Sequence, residues 1–242
     1  MTTLVVGASG ATGRLVVEKL LDEGEDVKII VRSTDNLSDA IKRNKHMTIT
    51  QAVLLDLTDE QLKKQVSNCR AVVSCLGHNM NLKGVYGRPR RLVKDGVQRL
   101  CEAIKATSNT DLTIPVKFIL MNSTGNQNNK NGETVSLAQS LTIGLIRLFV
   151  PPHADNEEAA AYLQAKYGEN QQVIEWSTVR PDSLINSPLS TEYDVYERPT
   201  RSAIFDAGKT SRVNVAHFMS QLIVNPLLWK QWKTKMPVIY NK

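Results

Sequence analysis

The sequence predicts a doubly wound α/β fold, a parallel sheet covered by helices on both faces, in one domain spanning residues 1–242. Three observations predict it. Short runs rich in Val, Ile and Leu alternate with helical patterns. Those runs are almost continuously apolar, as strands of a parallel sheet buried on both faces must be. The first run passes directly into a glycine-rich turn that opens a helix.

Taken in order, the strands are expected at Thr3–Val6, Val27–Val31, Met47–Leu54, Ala71–Cys75, Val116–Met121 and Val173–Val179. The helices between them are expected at Thr12–Glu23, Asp59–Val66, Arg91–Ala106 and Asp155–Lys166. In the first helix Leu15, Val16 and Leu20 make an apolar stripe backed by Lys19 and Glu23. Strand and helix alternating in this way call for right-handed crossovers. Asn126–Gly132 carries the clearest loop composition. Beyond Arg180 the pattern loosens, and this region is expected to fold over the carboxyl edge of the sheet as a small substrate lobe, mainly through residues 183–212. There is no internal repeat.

Composition narrows the function classes. With 41% apolar and 22% charged residues, a packed core is available and long disorder is not expected. The net charge of +6 suits an anionic partner, or simply a cationic, solvated surface. No Lys/Arg run with interleaved aromatics supports nucleic-acid binding. Cys69, Cys75 and Cys101 are odd in number and form no Cys-x-x-Cys pair, which argues against a disulfide framework or a structural zinc and fits a reducing cytoplasm. The first apolar run is too short for a signal peptide. No stretch reaches the ~20 apolar residues of a membrane span; the longest, Leu141–Val150, contains Arg147. Four histidines with no clustered Cys/His/Asp pattern leave no metal site to expect.

The most specific motif is Gly7-Ala8-Ser9-Gly10-Ala11-Thr12-Gly13, with a strand before it and a helix after it. Gly7 permits the tight turn, Gly10 lets the backbone approach a pyrophosphate, and Gly13 lets helix and strand lie close. The helix start then offers free N–H groups and partial positive charge to phosphates. A dinucleotide is implied. After the second strand, where an NAD site carries an acid for the ribose 2′-hydroxyl, the chain has Arg32. A guanidinium fork suits a 2′-phosphate, so NADP(H) is the expected cofactor. Arg14 is placed to reach that phosphate from the other side, and Ser33 and Thr34 offer further donors. Otherwise Arg32 is a surface residue. Asp56-Leu57 occupies the place where a side chain meets the adenine amino group, or else caps the helix at Asp59. Cys75-Leu76-Gly77 ends the fourth strand, where small residues let a cofactor pass. Cys75 reads as a small core residue, with no base nearby to make it a nucleophile.

These pieces resemble the short-chain dehydrogenase/reductase superfamily, a Rossmann-type fold, and within it the atypical branch of NmrA-like proteins and NADPH-dependent flavin (biliverdin-IXβ) reductases. The likeness is carried by Gly7–Gly13, Val31-Arg32, Asp56-Leu57, Leu76-Gly77, Asn122-Ser123-Thr124 and Val179-Arg180-Pro181. Val150-Pro151-Pro152, Ser211-Arg212-Val213 and His217-Phe218-Met219 extend it along the chain. The resemblance implies that Ser123 lies beside the nicotinamide and can hydrogen-bond an acceptor, unless it is only a loop cap. It implies too that Pro181 and Leu184 meet the carboxamide end.

The wider superfamily uses Tyr-x-x-x-Lys, and Tyr162 and Lys166 have that spacing. They stand too close to Arg180, however, and the family spacing projects back to His153. Nine helical residues are roughly 13 Å, too far for both to serve one acceptor. Tyr162 is expected to be a packing residue and Lys166 a helix-end charge. His153 becomes the acid candidate, or else a helix-entry residue.

Without that dyad, protonating an alkoxide is harder, and a conjugated acceptor with delocalised charge becomes the better fit. The leading expectation is an NADPH-dependent oxidoreductase acting on a small-molecule acceptor, flavin-like or quinone-like. The first alternative is a non-catalytic NADP(H)-binding redox sensor of NmrA type working through a protein partner. The second is a carbonyl reductase using Tyr162 and Lys166. Lys83, Arg88, Arg90 and Arg91 form a basic cluster that either attracts an anionic acceptor or is a solvated helix start. Leu141, Leu145 and Leu148, with Ile146 and Phe149, offer an apolar face for a partner or for a second subunit of a homodimer, or pack on the domain's own core.

Overall fold

The structure, a computed structural model, describes residues 2–78, 81, 85–107, 114–128, 132–133, 151–168 and 172–242. The strands are β1 (Thr2–Val6), β2 (Asp26–Val31), β3 (Met47–Gln51), β4 (Cys69–Ser74), β5 (Val116–Met121), β6 (Ile174–Pro181), β7 (Ser183–Ile185), β8 (Tyr193–Tyr196), β9 (Lys209–Ser211) and β10 (Val238–Asn241). The α-helices are α1 (Ala11–Asp22), α2 (Asp39–Lys42), α3 (Asp59–Val66), α4 (Leu92–Thr107), α5 (Pro151–Lys166), α6 (Arg212–Val224) and α7 (Pro226–Trp232).

Eight strands join in the order β3-β2-β1-β4-β5-β6-β10-β8. All pairings are parallel except β10 with β8. The order reverses direction at β1, so the carboxyl ends of β1 and β4 flank the crevice where such sheets bind ligands. A separate parallel pair, β7 with β9, lies beyond the end of β6.

Two cores explain the unbroken apolar strands. Phe118 and Leu120 point into one core with Leu100, Ile104 and Leu163 of α4 and α5, while Ile119 between them points into the other. That second core holds Val16, Val17 and Leu20 of α1 and Phe218, Met219 and Leu222 of α6. Each such fully buried side chain contributes about 1.5–3 kcal/mol.

Four details differ from the sequence expectation. β3 stops at Gln51, and Leu54–Asp56 instead forms one 3-10 turn. The cap of α3 is Thr58, in a reciprocal capping box with Gln61, and neither Asp56 nor Leu57 takes that role. Helix α5 starts at Pro151, four residues before Asp155. The chain beyond Arg180 is more regular than expected: α6 packs on α1 and β10 enters the sheet beside β6. Helix α6 buries Val213, Asn214, Val215 and Ala216 in succession and so shows no amphipathic period to read.

Candidate nucleotide and acceptor site

The turn after β1 is held by the Gly10 N–H donating to Gly7 O at 3.0 Å. Gly7 has φ +74°, and a side chain there would strike the Cys75 backbone. A Cβ on Gly13 would overlap the Gly7 carbonyl, so α1 lies against the turn only because Gly13 has none. At Gly10 only Gly7 O, at 3.2 Å, lies near a would-be Cβ. Gly10 is the N-cap of α1 and no side chain caps the helix, whose first residues are Ala11, Thr12 and Gly13. The dipole therefore faces outward, an electrostatic setting for an anion.

A cavity of about 280 Å³ opens over this turn. Gly7, Ser9 and Gly10 form its floor, and Cys75, Leu76 and Gly77 form the wall from β4. Arg32 and Asn36 close the β2 side. Arg14 reaches the same corner, its guanidinium donating to Asn36 O at 3.4 Å. The Ser33 hydroxyl is turned to its own chain and accepts the Asp35 N–H at 3.0 Å.

Neither residue expected to meet the adenine, Asp56 or Leu57, lines this cavity. Leu54 and Leu55 line the cavity, whereas Asp56 is exposed and outside it, and Leu57 packs on the core. Arg99 of α4 fixes this arrangement by donating to Leu55 O at 2.6 Å and to Leu57 O. Sequence reading missed Arg99, because its partners lie more than forty residues away in the chain. The Cys75 thiol is pushed up to about 12 by burial, so at neutral pH it is a thiol and not a nucleophile.

At the carboxyl end of β5, Ser123 and His153 converge on Gly125. A Cβ built on Gly125 would stand 3.0 Å from His153 Cε1, 3.6 Å from His153 Nδ1 and 3.5 Å from Ser123 Oγ. The two residues come from segments thirty positions apart, and the missing side chain at Gly125 leaves the space between them. His153 Nε2 is buried and faces Glu157 Oε1 at 3.4 Å, one helical turn on, close enough for attraction but not aligned as a hydrogen bond.

Long-range anchors hold this corner. Asn122 accepts the Ser123 N–H at 2.9 Å and donates to Asn156 O at 2.8 Å, fastening the end of β5 to α5. Asp155, almost fully buried, accepts the N–H groups of Val93 and Lys94 at the start of α4 and pairs with His78 at 2.7 Å. Arg180, fully buried, forks onto Glu133 at 2.8 and 2.7 Å and donates to Asn126 O and Met236 O. Asp182 accepts the Thr124 hydroxyl at 3.0 Å and the Gly208 N–H at 2.8 Å, and burial raises its pKa. Pro181 ends β6 and its carbonyl accepts the Thr124 N–H. Leu184 of β7 rests on the core. The partners that His78, Asp155, Glu133 and Asp182 find here lie far off in the chain and were not readable from local sequence.

A family profile described as NAD(P)H-binding matches residues 7–226. The chain belongs to this NAD(P)H-binding family. A search of curated proteins returned no match. Among solved structures, this fold is similar to a short-chain dehydrogenase/reductase from Veillonella parvula DSM 2008 in complex with NADP, at TM-score 0.70 and 14% identity over 99% of this chain and 94% of that one. It is similar to a candidate NADH-flavin reductase from Streptococcus pneumoniae TIGR4, at TM-score 0.70 and 17% identity, with all of both chains covered. It is similar also to an anaerobillin reductase from Escherichia coli O157:H7, at TM-score 0.66 and 15% identity over 100% and 97%.

For a member of this family, the residues present fit the nucleotide: an uncapped helix start, a Cβ-free approach at Gly10 and a cavity reaching Arg32. The Tyr-x-x-x-Lys spacing does not enter the site. Tyr162 packs against the α4-side core, edge-on to Tyr167 with centroids 6.2 Å apart, and burial raises its pKa. Lys166 is exposed near the end of α5. Lys83 and the apolar face of Leu141, Leu145, Ile146, Leu148 and Phe149 lie outside the described residues. Among the described residues, no helix is long and apolar enough to cross a membrane, and no group of three or more His, Cys, Asp or Glu could hold a metal ion.

Proposed function

We propose that this protein is an NADPH-dependent reductase of a small conjugated acceptor, flavin-like or quinone-like. The observation that carries the reading is the convergence of Ser123 and His153 on Gly125, with Tyr162 turned away into the core. Bound NADPH supplies a hydride at its nicotinamide. The Gly7–Gly13 turn and the start of α1 hold the pyrophosphate, and Arg32, with Arg14 beside it, selects the 2′-phosphate. Cys75, Leu76 and Gly77 form the wall the dinucleotide runs along, and Pro181 and Leu184 border its nicotinamide end. The Ser123 hydroxyl donates a hydrogen bond to a carbonyl of the acceptor, and the His153 imidazole delivers the proton that follows. Glu157 faces the far nitrogen of that ring at 3.4 Å. A conjugated acceptor spreads the incoming charge, so one modest acid suffices where an isolated carbonyl would need a Tyr-Lys pair. The similarity to a candidate flavin reductase and to an anaerobillin reductase supports the same acceptor class.

The test follows NADPH absorbance with FMN, a quinone and a simple aldehyde in parallel, with NADPH binding read by fluorescence in the same samples. Consumption with FMN or quinone and none with aldehyde is the expected result. Turnover confined to the aldehyde would overturn the proposal. Tight NADPH binding without consumption by any acceptor would replace it with the sensor reading.

A further inference from the structure

A second cavity, of about 640 Å³, adjoins the first. Pro89 lines both, and Leu92, at the start of α4, lines the first. The walls of the second carry Arg88, Arg90 and Arg91, with Tyr86, 53% exposed, at its side. Among the described residues Arg91 is paired, with Glu158 of α5. Asp95, the one acid in the wall, has Lys94 Nζ 3.6 Å from its carboxylate. Arg88 and Arg90 have no carboxylate partner among the described residues. Two guanidinium groups beside an open cavity, their neighbour's charge already matched, form a cationic recess that is electrostatically incomplete.

Its position gives the recess a purpose. The Arg91–Glu158 pair ties segment 85–91 to α5, and Asp155 of the same helix holds the start of α4. The recess therefore borders the dinucleotide cavity through Pro89 and, through Arg91 and Glu158, the helix that carries His153, five residues or roughly 7.5 Å of rise before Glu158.

We infer that Arg88 and Arg90 form an anion subsite that takes the charged tail of the acceptor, a phosphate or a carboxylate, while its conjugated ring lies at Ser123 and His153. The inference rests on the reductase reading for the ring's location, and the subsite is tested separately by binding. FMN and riboflavin share one ring system and differ by the phosphate. A linear tetrapyrrole and its dimethyl ester differ by the two carboxylates.

The experiment measures dissociation constants of all four by fluorescence quenching with the NADP-loaded protein, beside the Arg88→Gln/Arg90→Gln variant and an Arg88→Lys/Arg90→Lys variant. At low salt at least one charged compound should bind about tenfold or more tightly than its uncharged partner. Which pair shows the difference identifies the tail as phosphate or carboxylate. The Gln variant should erase the difference, the Lys variant should keep part of it, and high salt should shrink it. NADPH affinity should stay unchanged in both variants, which also reports that they fold. Equal affinities within both pairs, or no binding of any of the four, would overturn the subsite. So would a parallel loss of NADPH affinity, which would hand the arginines to the cofactor. Charge-selective binding without NADPH consumption would leave the subsite standing while the reductase reading failed.

Discussion

The two ends of the site are built in different ways. The nucleotide end is made of backbone: a seven-residue turn, the start of the helix that follows it and the strand end beside it. The proposed acceptor end is made of side chains, Ser123 after β5 and His153 of α5, at a corner held by Asn122, Asp155 and Arg180. Backbone geometry needs only neighbours in the chain. A side-chain site needs each segment anchored separately, so its precision depends on buried polar pairs that are costly to break.

Arg180→Leu should show this most strongly. It leaves Glu133 buried without its partner, and stability should fall by about 3–5 kcal/mol in urea unfolding. A loss below about 1 kcal/mol would mean the anchor is replaceable and the contrast between the two ends is weaker than drawn. Gly13→Ala tests the backbone end. Its Cβ meets the Gly7 carbonyl, and the strain should be about 1–3 kcal/mol, with NADPH affinity falling in step. Unaltered affinity would show that the turn can shift without harm to the site. Arg32→Glu should leave folding alone and move the NADPH-to-NADH affinity ratio toward NADH by about tenfold or more, about 1.4 kcal/mol. A ratio that stays put in titration would return Arg32 to the surface.

Two smaller effects mark the limits of the comparison. Lys117, at the opposite end of the sheet, donates to Leu222 O and Ile223 O, and burial pushes its pKa from 10.5 down to about 8. Between about 8 and 10.5 the unfolded chain then holds more protons than the folded one, so this lysine makes stability climb with pH across that window. The stability of Lys117→Met should lack that climb; identical pH slopes would place the charge in solvent. Tyr162→Phe should change reductase turnover by less than about twofold, within about 0.5 kcal/mol. A large fall would revive the carbonyl-reductase reading that its packing argues against.

Legibility in the sequence follows the same division. The first six strands and α3 could be placed because apolar runs and helical periodicity are local signals. The glycine spacing could be given roles because each glycine answers to a neighbour within a few residues. Asp56 shows where such reading stops. Its position after β3 suggested an adenine contact, but Leu54 and Leu55 line the cavity, and Arg99 of α4 donates to carbonyls 55 and 57. Tyr162 shows it as well: its spacing to Lys166 matches a dyad, and only the rotation of α5 against α4 reveals that the phenol faces Tyr167.

By itself, the sequence determined the doubly wound sheet, the nucleotide turn and the absence of an acid where Arg32 stands, because periodicity, glycine sterics and the charge at a strand end act over a few residues. Only the tertiary structure decided that Ser123 meets His153 at Gly125, that Asp155 and Arg180 hold that corner, and that β10 and α6 complete the sheet and its cover. Those arrangements depend on buried contacts between segments far apart in the chain, and no local pattern encodes a contact whose partner lies elsewhere.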